Sequence, residues 1–121
     1  TVRRWRKAGM IEIVNARTGE ILPLGIDYLE ALERDGERLD PLAAARRLVK
    51  PWRLLHDGAD ETVKVAEARA LRGAAPEATT ELVVLEGGSH TLGAKHPWAG
   101  STAQLARALD LTIDWFVRYL F

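Results

Sequence analysis

The chain has 121 residues, 47% of them hydrophobic and 28% charged, with a formal net charge of +0 at pH 7 and no cysteine. This length supports one modest domain with a core, and a neutral chain has no global field to attract nucleic acid or an anionic membrane. The absence of cysteine excludes disulfides, thiolate metal sites and cysteine nucleophiles, and no signal peptide or membrane-length apolar run is present, so we expect a cytoplasmic protein.

The first segment with a structural signal is basic. Residues 1–8 contain three arginines and a lysine around Trp5, followed by Gly9. A nucleic-acid patch and the end of a surface helix both fit this composition, but the rest of the chain has no basic stripe that would extend a patch. The sequence therefore favours a surface helix that ends at Gly9.

The next segments predict a β-hairpin followed by two helices. Residues 10–15 and 20–24 are rich in β-branched and apolar side chains, with Gly19 at a turn position that needs a positive φ. Pro23 disfavours a central strand, so the hairpin should lie outside the main sheet. Apolar spacing predicts a helix over residues 26–34 that ends at Asp35 and Gly36.

A second helix is predicted over residues 42–49, with Asp40 as its N-cap and Pro41 at its first position. It should stop before Pro51. The hairpin and helices of residues 1–50 are therefore interpreted as one region, and residues 51–121 as another.

The second region predicts a strand, a helix and a strand, at residues 52–55, 65–72 and 79–86. The run of residues 82–85 is apolar without alternation, as in a parallel strand covered on both faces. This order is a βαβ unit, so the two strands should be parallel and their carboxyl ends should share one sheet edge. Asp60 follows the first strand, and His90 follows the second after a turn at Gly87 and Gly88.

The chain closes with a predicted helix over residues 102–119. Ser101 and Gln104 have the spacing of a capping box, with Ser101 as the N-cap. The final helix should bury an apolar face formed by five residues at helical spacing. These are Leu105, Leu109, Ile113, Phe116 and Leu120.

The two loops at the carboxyl ends of the strands contain the candidate catalytic residues. A carboxylate such as Asp60 can orient the imidazole of His90, leaving its other nitrogen to act as a general base. From the residues alone, His90 fits a polar loop histidine equally well, and Asp60 fits a cap of the following helix. His56, at a strand end, is better explained as a packing or turn histidine than as a ligand, and His96 lacks the spacing of a metal ligand pair.

Two loops and the final helix resemble α/β-hydrolases of the dienelactone hydrolase and prolyl-oligopeptidase-like branch. Residues 56–63, HDGADETV, are similar to the acid loop of that branch, and residues 87–97, GGSHTLGAKHP, are similar to its histidine loop. The resemblance covers residue 51 onward and implies a partial α/β-hydrolase fold, a C-terminal strand–helix–strand–helix unit. It implies Asp60 as the triad acid and His90 as the triad base.

Residues 1–50 resemble a cap or insertion region less specifically, and two loop positions depart from the family pattern. Asp57 stands where the family usually has glycine, although Asp tolerates a left-handed backbone. Lys64 stands where it usually has proline.

The nucleophile that this resemblance requires is missing. The only serines are Ser89 and Ser101, and neither lies in a Gly-x-Ser-x-Gly elbow. We therefore expect the C-terminal portion of a serine esterase or peptidase, inactive alone and without cofactor or metal. The alternative is a stand-alone noncatalytic binding module. Expected partners are the missing N-terminal portion or a second copy, with a small ester or peptide substrate in the intact protein and neither nucleic acid nor membrane.

Overall fold

The structure is a computed structural model that describes residues 2–15 and 18–121. The chain divides into two compact units, Thr1–Asp40 and Pro41–Phe121. Residues 41–50 thus belong to the second unit, whereas the sequence interpretation placed them with the hairpin. The secondary structure is mixed α/β, with one antiparallel hairpin and one small parallel sheet.

The first unit contains helix α1 (Val2–Ala8), strands β1 (Met10–Val14) and β2 (Ile21–Gly25), and helix α2 (Ile26–Leu39). The predicted hairpin is confirmed: β1 and β2 pair antiparallel and form a sheet of their own. Gly19 has the expected positive φ of 73°. Residues 16 and 17 of the predicted turn, and Thr1 of the basic segment, lie outside the described residues.

The basic segment is a helix, as predicted, and its tryptophan packs against α2. Trp5 is buried, and its ring stacks on Tyr28 with 6.4 Å between centroids. Arg6 forms an ion pair with Glu33 of α2. The predicted break at Asp35 is confirmed, because the backbone there is not helical, at φ −115° and ψ 16°, but a second helical segment continues from this kink to Leu39.

The second unit contains helix α3 (Pro41–Arg46), strand β3 (Trp52–Asp57), helix α4 (Val65–Ala74), a 3₁₀ turn (Glu77–Thr79), strand β4 (Thr80–Leu85) and helix α5 (Ala103–Leu120). β3 and β4 are parallel, in register from Trp52 opposite Thr80 to Asp57 opposite Leu85. The predicted βαβ unit is confirmed, and both following loops begin at the same sheet edge. α3 is shorter than predicted, and β3 extends two residues further.

The final helix lies where the sequence predicts it, but its N-cap residue and its buried face differ from the prediction. The N-cap is Thr102, whose Oγ1 accepts a hydrogen bond from the Leu105 N–H at 3.1 Å, and not Ser101. Gln104 donates to the Glu86 carbonyl instead of reaching back to the cap. Of the predicted face, four residues are more than half exposed. They are Leu109, Ile113, Phe116 and Leu120.

The side of α5 that packs inward is a neighbouring face. Ala108 is buried, and Leu105, Leu111, Thr112 and Trp115 are partly buried. Arg53 on β3 anchors this side: its Nη1 donates to the Leu111 carbonyl at 2.6 Å, and its guanidinium lies 4.6 Å from the Trp115 ring centroid. Both faces of α5 are therefore apolar, and the sheet covers only one of them.

The described residues enclose little core. No large side chain among them is fully buried, and the middle residues of β4, expected to be covered on both faces, are only partly buried. The accessible surface is 9097 Å². A folded monomer of 13.4 kDa exposes about 6,500 Å², and two separate bodies of the two units' sizes would together expose about 7,700 Å². Apolar surface is left uncovered because a two-stranded sheet cannot enclose its own faces.

Within the part of the chain that the structure describes, no helix combines the length and the apolar character that crossing a bilayer requires.

Candidate active site

The loop after β3 places Asp60 in a buried, hydrogen-bonded position. One oxygen, Oδ1, accepts hydrogen bonds from the backbone N–H groups of Thr62 and Val63, at 2.8 and 2.9 Å. His56 closes the same loop, because its Nε2 donates to the Val63 carbonyl at 2.9 Å. This geometry leaves the second oxygen of Asp60 to face the other loop. His56 lies within β3, and its ring holds the backbone of the acid loop.

The loop after β4 presents His90 at its first turn. Gly87 has a φ of 80°, which turns the chain away from the strand. The hydroxyl of Thr102 donates to the Leu92 carbonyl at 2.5 Å and so joins the turn after His90 to the start of α5. Leu92 has a φ of 53°, the single positive φ of a described residue other than glycine, and it lies two residues after His90. The first part of the histidine loop is therefore tied to the start of α5.

Asp60 and His90 meet across the two loops. Nδ1 of His90 lies 2.9 Å from Oδ2 of Asp60, so the ring donates its Nδ1–H to the carboxylate. The Asp60 side chain is 5% exposed and the His90 side chain is 54% exposed. In this tautomer, Nε2 is the unprotonated nitrogen, and the half-exposed ring makes it accessible. The juxtaposition predicted from parallel strands is confirmed.

The pKa of Asp60 reflects these contacts. Burial raises the pKa of this carboxyl, but the Val63 N–H, His90 and the Thr62 N–H lower it more, and the net value is about 2. Asp60 is therefore ionised at neutral pH and accepts the hydrogen bond of the His90 ring as a carboxylate.

The serines and the other histidines do not join this pair. Ser89 Oγ accepts from the N–H groups of Thr91 and Gly93, both at 3.3 Å, so its hydroxyl holds the histidine turn. Ser101 Oγ donates to the Thr102 carbonyl. His56 Nε2 lies 3.8 Å from Oδ2 of Asp60, beyond hydrogen-bond distance. His96 is exposed in the following loop.

Two further expectations concern ligands. Trp98 follows His90 in the same loop and is 65% exposed, so it does not cover the edge of the core; that it lines a substrate pocket is a prediction. Among residues 2–15 and 18–121, no three His, Cys, Asp or Glu side chains are grouped in a way that would hold a metal ion.

Sequence reasoning missed the contact that joins the two loops beneath the pair. Asp57 was interpreted as a loop residue tolerant of a left-handed backbone, but it is the last residue of β3, and its φ is not positive. Its carboxylate accepts a hydrogen bond from the Gly88 N–H at 2.8 Å. The sequence did contain a signal for this contact: an aspartate at the end of the first parallel strand and a glycine just after the end of the second.

Comparison of the chain with protein-family models and with curated proteins identified no match. The geometry of Asp60 and His90, and the residues that hold them, are therefore the features of this chain that bear on its function.

Proposed function

We propose that this chain is the C-terminal portion of a serine hydrolase of the α/β-hydrolase fold, an esterase or a peptidase. The observation that carries the proposal is the 2.9 Å contact between His90 Nδ1 and Asp60 Oδ2 at the shared edge of two parallel strands. A buried, ionised acid that orients a half-exposed imidazole is the arrangement that activates a serine hydroxyl. The cytoplasmic location expected from the sequence stays a prediction.

The proposed reaction assigns one role to each residue. A serine Oγ from the rest of the protein attacks the carbonyl carbon of the substrate while its proton moves to Nε2 of His90. The same nitrogen then gives that proton to the leaving alcohol or amine as its bond to the carbonyl carbon breaks. Water repeats the sequence to release the acid and restore the serine. Asp60 keeps Nδ1 protonated and stabilises the imidazolium in both steps.

Uncovered apolar surface supports the view that further structure completes this fold. Among the described residues, β3 pairs with β4 alone, and two apolar grooves adjoin β3. One of about 240 Å³ lies between β3 and α5, and one of about 370 Å³ is lined by α3, α4 and Trp52. In this proposal the amino-terminal part of the hydrolase, or a second copy of the chain, covers them.

A fluorophosphonate probe on the intact gene product tests the proposal. This probe forms a covalent bond to an activated serine, so we expect labelling of a serine upstream of Thr1, in a Gly-x-Ser-x-Gly sequence. His90→Gln in the same protein should abolish labelling, because the serine then has no base. His96→Gln is the matched control and should label normally.

Intact protein that folds but does not react with the probe would contradict the proposal and favour the noncatalytic binding module. A gene product that carries no upstream Gly-x-Ser-x-Gly would do the same.

A further inference from the structure

Asp57 is a buried carboxylate that the proposed reaction does not use. It ends β3, lies opposite Leu85 at the end of β4, and is only 2% exposed. Burying a carboxylate costs free energy unless its oxygens are hydrogen-bonded. The partners of this side chain therefore indicate what it does.

The two oxygens of Asp57 bind different loops. Oδ1 accepts from the Ala59 N–H at 2.8 Å, and Oδ2 accepts from the Gly88 N–H at 2.8 Å. Ala59 immediately precedes Asp60, and Gly88 lies two residues before His90. One carboxylate thus joins the backbone of the acid loop to the backbone of the histidine loop, beside the hydrogen bond between Asp60 and His90.

The contact requires glycine at position 88, because the Asp57 carboxylate lies where a side chain would begin. A Cβ atom on Gly88 would lie 2.4 Å from Oδ2 and 3.1 Å from Cγ of Asp57, which no side chain can do without displacing the carboxylate. The φ of Gly88 is not positive, unlike that of Gly87, so its backbone conformation alone does not demand glycine. Asp57 and Gly88 therefore form a matched pair.

We propose that Asp57 is a positioning residue that holds the His90 loop against the acid loop, and thereby keeps Nδ1 of His90 on Asp60. The inference rests on the proposed function for its importance to hydrolysis, but the contact itself can be tested in this chain. Asp57→Asn is the conservative variant. When the Asn carbonyl accepts from Ala59, its NH₂ group faces the Gly88 N–H, and the tie to the histidine loop is lost.

The experiment measures the tautomer of His90 by imidazole ¹⁵N chemical shifts, at a pH where the rings are neutral. His90→Gln assigns the signal. We expect wild-type His90 to be in the Nδ1–H form, and we expect Asp57→Asn to shift it until the Nε2–H form dominates. Thr80→Val is the matched control, because Thr80 is buried at the opposite end of β4 and its hydroxyl has no hydrogen-bond partner among the described residues. It should keep the wild-type tautomer.

A second variant, Gly88→Ala, breaks the same contact while retaining Asp57 and should produce the same shift. Folded variants that retain the Nδ1–H form would overturn the positioning role and leave the proposed function standing. Wild-type His90 in the Nε2–H form would overturn the pair itself, and with it both proposals. Loss of the fold in both variants, with Thr80→Val folded, would assign the contact to folding and overturn the positioning role.

Discussion

At the residue scale, the charge of the candidate site comes from Asp60. Its two oxygens have separate tasks: Oδ1 binds two backbone N–H groups of its own loop, and Oδ2 receives the His90 ring. The two N–H groups can donate to Oδ1 because the loop curves around this oxygen. His56 helps to hold that curve by donating a hydrogen bond to the Val63 carbonyl. The acid is therefore held by its own loop and does not depend on His90 to stay in place.

The low pKa of Asp60 predicts how stability depends on pH. Its pKa is about 2 in the folded chain, against an ordinary value of 3.8, so its contribution to the free energy of unfolding is present above about pH 4 and is lost as pH falls toward 2. We expect Asp60→Asn to be less stable at pH 7 and to lose less stability over that range. Urea unfolding at a series of pH values measures this. Glu61→Gln removes one charge from the same loop, and equal behaviour of the two variants would contradict the assignment.

At the element scale, the informative part is α5. A helix with one apolar stripe packs on a single neighbour, but α5 carries apolar residues on two faces. The face that contacts the sheet is selected by Arg53, whose guanidinium binds the Leu111 carbonyl and stacks on Trp115. The periodicity of the sequence identified the helix, but it contained two overlapping stripes, and the more regular stripe is the exposed one.

The start of α5 gives a prediction with an adjacent control. Thr102 caps the helix through the Leu105 N–H and also donates to the Leu92 carbonyl, so Thr102→Ala removes two hydrogen bonds. We expect a loss of about 1 to 2 kcal/mol in the free energy of unfolding. Ser101→Ala should change it by less than about 0.5 kcal/mol. Urea unfolding of both variants tests the cap, and a larger loss for Ser101→Ala would restore the capping box predicted from the sequence.

At the scale of the whole molecule, the chain exposes more surface than a folded chain of this size usually does, and many of its large apolar side chains are exposed. The exposed residues of α5 and the grooves beside β3 lie in the same unit as the Asp60 and His90 pair. Exposed apolar surface of this kind normally lies at an interface. The unit therefore carries a formed acid and base beside surfaces that further protein would cover.

This exposed surface predicts self-association of the chain when it is alone. Light scattering should show an apparent mass that rises with concentration. The double variant Ile113→Asp and Phe116→Asp should lower the association without unfolding the chain, because both side chains are more than half exposed. Arg107→Asp is exposed on α5 and makes the same change in net charge. A wild-type chain that stays monomeric at high concentration would contradict the prediction, as would an equal effect of the control.

The sequence by itself determined the order of elements in the second unit and the meeting of Asp60 with His90. Both follow from local patterns and from one rule, that the carboxyl ends of parallel strands share an edge. Only the tertiary structure decided that Asp57 binds Gly88, that Thr102 caps α5 and which face of α5 is covered. The Asp57 contact and the covered face of α5 depend on residues distant in the chain, and periodicity shows which positions are apolar without showing what lies against them. The cap is local, but Ser101 and Thr102 both offer a hydroxyl, and only the folded loop places the Leu92 carbonyl beside Thr102.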